Sequence, residues 1–265
     1  MGAPLWIIGA GRLGGALHIL LQKYGWAVEL SGRDWAPPQM PTAVLLAVPD
    51  HAIPAVAQRL AGHLAAGTPV LHTSGAVELA ALSPLADAGC SVGGLHPLVA
   101  VPNPHDGARL LRGAWWGIEG EGAARALAES IVHGTGGRAL PIPVGARALY
   151  HAAAVLASNG LVALLAAAEE VMSQAGISSP EARSALTGLA AGALGAVRDA
   201  GPVAALTGPV ARGDVQTVQA HLSRLSGHER DVYCALGRGA LSLARQRGLD
   251  PGAAAALATL LGETA

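Results

Sequence analysis

The 265 residues are 51% hydrophobic and 13% charged, which is ample material for one large or two ordinary domains and excludes a disordered chain. A formal net charge of -1 argues against a nucleic-acid surface or a polybasic membrane patch, so neither nucleic acid nor membrane is expected as a partner. Two cysteines, Cys90 and Cys234, lack the short spacing of a disulfide framework or a zinc site; no metal is expected, and a reducing cytoplasm is the simplest compartment.

The N-terminal "MGAPLWIIGAGRLGG" lacks the basic start and long apolar run of a signal peptide, and Gly2 leads straight into a strand rather than marking a myristoylation site. Up to about Pro143, short β-like runs alternate with helical segments. "PLWIIGA", "WAVELSG", "TAVLLAVP", "TPVLHTSG", "CSVGGLHPL", "AWWGIEG" and "RALPIPV" predict strands, with helices at Leu13–Tyr24 and His51–Ala65. Strand-helix alternation with continuous apolar strands predicts a Rossmann-type, doubly wound parallel sheet over residues 1–143.

The first strand runs into "IIGAGRLGGAL", in which Gly9, Gly11 and Gly14 stand in the G-x-G-x-x-G spacing, with Arg12 and Leu13 between the last two. Strand, glycine loop and helix together make a dinucleotide site: Gly9 for the turn, Gly11 for close approach of pyrophosphate, Gly14 for helix-strand packing. The second strand ends "VELSGRD". Ser31 at its tip and Arg33 beyond suit a 2′-phosphate, which favours NADP over NAD; the other reading is a plain polar turn with Asp34 reaching the ribose.

Ligands of open parallel sheets bind beyond the carboxyl ends of the strands. Val48 and Pro49 end the third strand and are expected to line the nicotinamide-ribose side, while Asp50 caps the helix that follows. Thr73 and Ser74, in "LHTSGA", offer hydroxyls to cofactor or substrate; a plain turn is the bland reading. In "GGLHPLVAV", Pro97 restricts His96 to extended backbone at a strand end, and histidine exchanges a proton most readily near neutral pH. His96 reads equally as a core residue, and for His72 the core reading is favoured.

From residue 144 onward no strand is predicted. Arg147–Ala175, Pro180–Ala200, Asp214–Leu225, His228–Arg247 and Pro251–Leu261 read as helices, punctuated by Gly176, Gly201-Pro202 and Gly248, with Asp214 and Asp250 as N-caps. Residues 144–265 therefore form an all-helical C-terminal domain. Its longest apolar run, Leu161–Ala168, is too short to span a bilayer. "LTGPVARGD" interrupts the helices and places Thr207 and Arg212 on a loop, where Arg212 either clamps a substrate carboxylate or pairs with Asp214.

"HTSGA", "GLHPL", "YHAAAVLASN" and "LTGPVARGDVQTVQAHL", in that order, resemble a family of bacterial Rossmann-like proteins whose C-terminal half is a domain of unknown function 2520. That family is similar to reductases with a 6-phosphogluconate dehydrogenase-like helical domain, among them β-hydroxyacid dehydrogenases, ketopantoate reductase and pyrroline-5-carboxylate reductase. The resemblance implies NAD(P) binding, a helical domain that forms a homodimer, and a small-molecule substrate in an interdomain cleft. In the β-hydroxyacid dehydrogenases a lysine stands one turn before the helix asparagine. Here Asn159 matches the asparagine, but Val155 replaces the lysine, and the single lysine, Lys23, follows the phosphate loop.

A ketone needs a proton as hydride arrives, whereas an iminium needs none. His151 and Asn159 lie eight residues apart on one predicted helix, roughly 80° around its axis, and His96 approaches from a strand end. These three are the expected catalytic residues, with Ser74, Thr207 and Arg212 on the substrate. The expected function is an NADP-dependent oxidoreductase of a small carbonyl or imine compound; the alternative is a non-catalytic NADP(H)-binding sensor or scaffold dimer.

Overall fold

The computed structural model describes residues 4–35 and 41–263; Gly2 lies outside them. In chain order the first part holds β1 (Leu5–Ile8), α1 (Arg12–Lys23), β2 (Val28–Ser31), β3 (Ala43–Leu46), α2 (Ile53–Leu60), β4 (Pro69–His72), α3 (Ser83–Asp87), β5 (Ser91–Pro97), α4 (Pro104–Leu110), β6 (Trp115–Gly120), α5 (Gly122–Gly134), β7 (Arg138–Pro141) and α6 (Arg147–Val155). A π-helical turn, Leu156–Gly160, precedes α7 (Leu161–Gln174), α8 (Ser179–Ala205), α9 (Pro209–Arg212), α10 (Val215–Leu222), α11 (Gly227–Gln246) and α12 (Pro251–Leu260). The chain divides into two compact units, 1–158 and 159–265. Strands end near residue 143, as the sequence predicts, but α6 belongs to the first unit.

The sheet order is β2-β1-β3-β4-β5-β6-β7. β1 to β5 run parallel; β5 and β6 pair antiparallel, and β7 follows β6 in direction. The doubly wound sheet thus holds as expected, with its last two strands reversed. β1 has β2 on one side and β3 on the other, so the chain switches direction across the sheet where the glycine loop begins.

Strand side chains alternate between two buried layers. Leu5, Ile7, Leu45, Leu71, Leu95, Trp116 and Ile118 pack with α1 and α5. Trp6, Ile8, Val44, Leu46 and Val70 pack with α2 and α3. This second face continues toward β6: His72 and Gly94 are register partners, as are Gly94 and Glu119, and His96 and Gly117. The polar groups of the first unit gather at that end.

In the second unit α7 packs on α8, and α11 packs on α7 and α9. A separate core joins Val210, Val218, Leu222, Leu241, Leu257 and Leu261. Asp214 and Asp250 cap α10 and α12 as expected, accepting from the Thr217 and Ala253 backbone N–H groups. Gly201 leaves helical geometry (φ 79°, ψ 165°), but one further turn follows because Pro202 starts it without needing an N–H partner.

Two helical stretches, Arg147–Gln174 and Ser179–Arg212, are long and apolar enough to cross a membrane by length and composition, although the longest uninterrupted apolar run is short. Their apolar side chains are largely exposed, with Val162 at 68%, Leu189 at 73% and Leu194 at 56%.

Candidate functional site

The glycine loop is built as its spacing requires. Gly9 has a φ of 114°, and a Cβ there would overlap the Ala47 carbonyl. A Cβ on Gly14 would overlap the Gly9 carbonyl oxygen, so this glycine lets α1 close onto the strand end. A Cβ on Gly11 would meet nothing within 4 Å: here the missing side chain leaves open approach to bare backbone. α1 has no side-chain N-cap and no acidic residue in its first turn. Its N–H groups and dipole therefore suit an anion, and Arg12 and half-buried Leu13 open the helix at that point.

Ser31 is the last residue of β2, as expected. Its Oγ accepts from the Trp6 indole at 2.8 Å, which leaves the hydroxyl proton to donate outward. Arg33 and Asp34 are both exposed just beyond it. Val48 is half-buried and Pro49 exposed after β3. Asp50 departs from expectation: Pro49 is the N-cap of the 3-10 turn Asp50–Ala52, and Asp50 is its first residue, with no side-chain cap.

Thr73 and Ser74 are buried, and the fold uses their hydroxyls itself. Thr73 Oγ1 donates to the Leu46 carbonyl at 3.1 Å, and Ser74 Oγ accepts from the backbone of Ala76 and Val77 at 3.1 and 3.0 Å. Both hydroxyls thus hold the turn that follows β4. His72 is a core residue, as favoured, but neither of its ring nitrogens has a hydrogen-bond partner. Burial, then the charges of Arg147 and His96, push its pKa down to about 3.

The densest group of functional side chains forms where α6 lies on the second face of the sheet. His96 Nδ1 stands 2.8 Å from the Tyr150 hydroxyl, and the His96 and His151 rings meet edge-on with centroids 5.8 Å apart. Arg147, fully buried, donates from Nε to Glu119 at 2.6 Å and from Nη1 to the Ser74 carbonyl at 2.5 Å. Three glycines make the room. A Cβ on Gly94 would overlap the Arg147 guanidinium, one on Gly117 the Tyr150 hydroxyl, and one on Gly75 the His151 ring, while standing 2.8 Å from His96 Nε2.

These contacts fix protonation. Burial, then His151 and Arg147, lower the His96 pKa to about 4 against a weaker opposing pull from Asp50, so the imidazole is neutral at pH 7. Burial raises the Tyr150 pKa; Arg147 and a backbone hydrogen bond from Gly117 act in the other direction. The Tyr150 hydroxyl and His96 Nδ1 share one hydrogen bond; with the Tyr150 O–H as its donor, the His96 proton stands on Nε2, beside Gly75.

Thus His96 and His151 are brought together as predicted. Tyr150, next to His151 in "YHAAAVLASN", joins them, as do Arg147 and Glu119, which the sequence reading did not single out. The available signal was Arg147-x-x-Tyr150-His151, an i, i+3, i+4 pattern that puts three polar side chains on one helical face. Asn159 lies on the same helical stretch as His151, in its π turn, with its side chain exposed. Arg212 is the exposed last residue of α9 rather than a loop residue, and its charge helps hold the Asp214 carboxyl below its ordinary pKa, after the hydrogen bonds from Thr217. Thr207 is exposed and lines a cavity of about 900 Å³ in the second unit with Leu164, Val171, Met172 and Tyr233.

Comparison with known proteins agrees with this architecture. A Rossmann-like domain matches residues 38–97, and a domain of unknown function (DUF2520) matches residues 114–240. The chain joins these two domains. No curated protein matches it. Among solved structures it resembles protein TM1727 from Thermotoga maritima, at 22% identity over 92% of this chain and 99% of that one, with a TM-score of 0.72. A reductive aminase from Aspergillus terreus, in complex with NADPH and ethyl levulinate, shares 17% identity over 99% and 93% of the two chains, with a TM-score of 0.57. A pyrroline-5-carboxylate reductase from Coxiella burnetii shares 15% over 98% and 96%, with a TM-score of 0.56. At these identities the likeness is one of fold.

Proposed function

We propose that the protein is an NADP-dependent oxidoreductase that reduces a small carbonyl or imine compound. The observation that carries this reading is the 2.8 Å hydrogen bond between the Tyr150 hydroxyl and His96 Nδ1, at the strand ends that also carry the open glycine loop. The ends of β1, β3, β4 and β5 are adjacent, so the loop, Val48, Gly75 and His96 form one row. The solved NADPH complex of a protein with this fold supports the cofactor assignment.

Backbone at Gly9–Gly14 would hold the pyrophosphate at the α1 N-terminus. Ser31 and Arg33 would hold the 2′-phosphate, and Val48 and Pro49 would line the nicotinamide-ribose side. Bound NADPH supplies a hydride. His96 donates from Nε2 to the substrate oxygen and passes its proton there as negative charge develops; Tyr150 refills Nδ1 with its own proton. The nearby Arg147 charge favours the resulting phenolate. His151 bounds the opposite side of Gly75. This relay is the counterpart of the missing lysine and answers a need that carbonyls have and iminium ions lack. In the second unit Asn159 presents an exposed amide, Thr207 an exposed hydroxyl and Arg212 an exposed guanidinium.

The protein acts as a homodimer through its helical domain. The exposed apolar face of α7 and α8 supports this, and the ion pair between Arg183 and Glu169, at 2.8 Å on those helices, suits a face that meets water and a second copy rather than lipid. The test is NADPH oxidation over a panel of aldehydes, ketones, 2-oxo acids and cyclic imines. Turnover that needs NADPH supports the proposal; nucleotide binding with no turnover across the panel rejects it for a sensor.

A further inference from the structure

We infer that Arg147 is the positioning residue of this site: its buried guanidinium, clamped between Glu119 and the Ser74 carbonyl over bare Gly94, sets where Tyr150 and His151 stand against His96. The kinetic arm of this inference rests on the proposed reductase chemistry; the titration arm does not.

One side chain touches three neighbouring strand ends. Nε reaches Glu119 on β6, Nη1 reaches the carbonyl of Ser74 just after β4, and the guanidinium lies on Gly94 of β5. Arg147 is the first residue of α6, so the clamp fixes that end of the helix. Tyr150 and His151 follow at three and four residues, on the same face. Each then enters its own glycine gap, at Gly117 and Gly75. A slip of α6 would separate the Tyr150 hydroxyl from His96 Nδ1, whose 2.8 Å leaves little slack.

Stability does not require this arrangement. A buried ion pair returns about what its desolvation costs, and an apolar residue would anchor α6 as firmly. The site also retains buried polar atoms without hydrogen-bond partners: Arg147 Nη2, both nitrogens of His72, and His151 Nδ1. Such atoms cost free energy, and they cluster here. The retained charge has a use: it opposes the effect of burial on Tyr150 and so favours release of the phenol proton. The titratable and charged groups facing Tyr150 are His96 on β5 and Arg147 on α6; His151, His72 on β4 and Asp50 after β3 act on His96 or Arg147, and Glu119 on β6 pairs with Arg147.

Two variants separate positioning from folding. Arg147→Met with Glu119→Gln removes both charges together and buries no lone ion. Arg147→Lys keeps the charge but cannot span both acceptors. Tyrosinate absorbance is titrated in the full chain, with Tyr150→Phe subtracting Tyr24 and Tyr233, and histidine ring signals are followed by NMR. In the double variant the Tyr150 titration moves up by about one pH unit or more, and the alkaline limb of the carbonyl-reduction pH profile moves with it. In Arg147→Lys the titration stays near that of the wild type, but the His96 ring signals shift and kcat falls about tenfold or more, with NADPH affinity unchanged. An unmoved Tyr150 titration in the double variant, or unshifted His96 signals and wild-type kcat in Arg147→Lys, overturns the inference. Where the double variant does not fold, the lysine variant decides. Shifts in the titration and ring signals of a protein without turnover uphold the positioning role and reject the reductase chemistry alone.

Discussion

The Tyr150 hydroxyl and the Nδ1 of His96 stand 2.8 Å apart although 54 residues separate them. In the proposed reduction the pair takes the place of a lysine as proton source, with a neutral imidazole at pH 7 and a protonated phenol as its members. Tyr150→Phe removes the proton and keeps the ring. Carbonyl reduction falls about 100-fold or more, while reduction of a preformed iminium changes by less than about fivefold, and NADPH affinity is unaltered. Steady-state kinetics with a matched ketone and iminium pair check this. Equal losses on both substrates would remove Tyr150 from the proton path.

Acid destabilises the fold through the same cluster. The pKa values of His96 and His72 lie near 4 and 3 in the fold, against 6.5 for free histidine. Above pH 6.5 neither folded nor unfolded chain binds these protons, and nothing is lost. Below it the unfolded chain takes up protons that the folded rings refuse, so stability falls with pH by on the order of 1 kcal/mol per unit per histidine. For His96 the loss continues to about pH 4, and for His72 to about pH 3. Thermal melts from pH 7 to 4 should show a steep decline that His72→Leu makes shallower. Parallel curves for the two proteins would show that His72 is not the refused proton.

The glycine loop was legible in the sequence because each glycine answers a local demand, of turn, approach or packing, in a strand-loop-helix frame. Gly11→Ala and Gly14→Ala separate these demands. A methyl group on Gly11 meets open space, so the variant folds normally but loses NADPH affinity by about tenfold or more. A methyl group on Gly14 overlaps the Gly9 carbonyl, so that variant loses about 1–3 kcal/mol of stability. Melting temperature and nucleotide calorimetry on both proteins check the contrast; equal stability in the two would contradict it.

The α6 site was half legible. His96 and His151 stood out as isolated histidines at a strand end and a helix start. The Arg147–Glu119 pair, 28 residues apart, depends on β6 running against β5 with Gly94 opposite Glu119, and no local pattern encodes that register. Gly75, Gly94 and Gly117 are gaps for particular side chains, yet in sequence they resemble any turn or strand glycine. The reversal of β6 was hidden for a related reason: strand direction is set by how the preceding connection returns to the sheet, not by the strand's own residues.

In the proposed reading Ser31 and Arg33 make the choice between the two nicotinamide cofactors. Ser31 Oγ is pinned by Trp6, with its proton free to donate, and Arg33 is exposed beside the strand tip. A guanidinium hydrogen-bonded to a phosphate contributes roughly 1.5–3 kcal/mol. Arg33→Ala therefore weakens NADPH binding by about tenfold or more and leaves NADH binding nearly unchanged. Equal affinities of the wild type for NADPH and NADH would return the ribose to Asp34.

The second unit predicts its own assembly. α7 and α8 leave Val162, Leu189 and Leu194 more than half exposed, and none of the most apolar stretch of α8 is buried within one chain. The proposed homodimer would cover this apolar surface with an isologous pair of the same residues. Leu189→Asp with Leu194→Asp places two charges on that face and leaves the buried core of the second unit, centred on Leu222, Leu241 and Leu257, untouched. Sedimentation velocity should find a dimer for the wild type and a folded monomer for the double variant. A wild-type monomer at micromolar concentration, or one that floats with lipid vesicles, would sink the assignment of this face to a second copy.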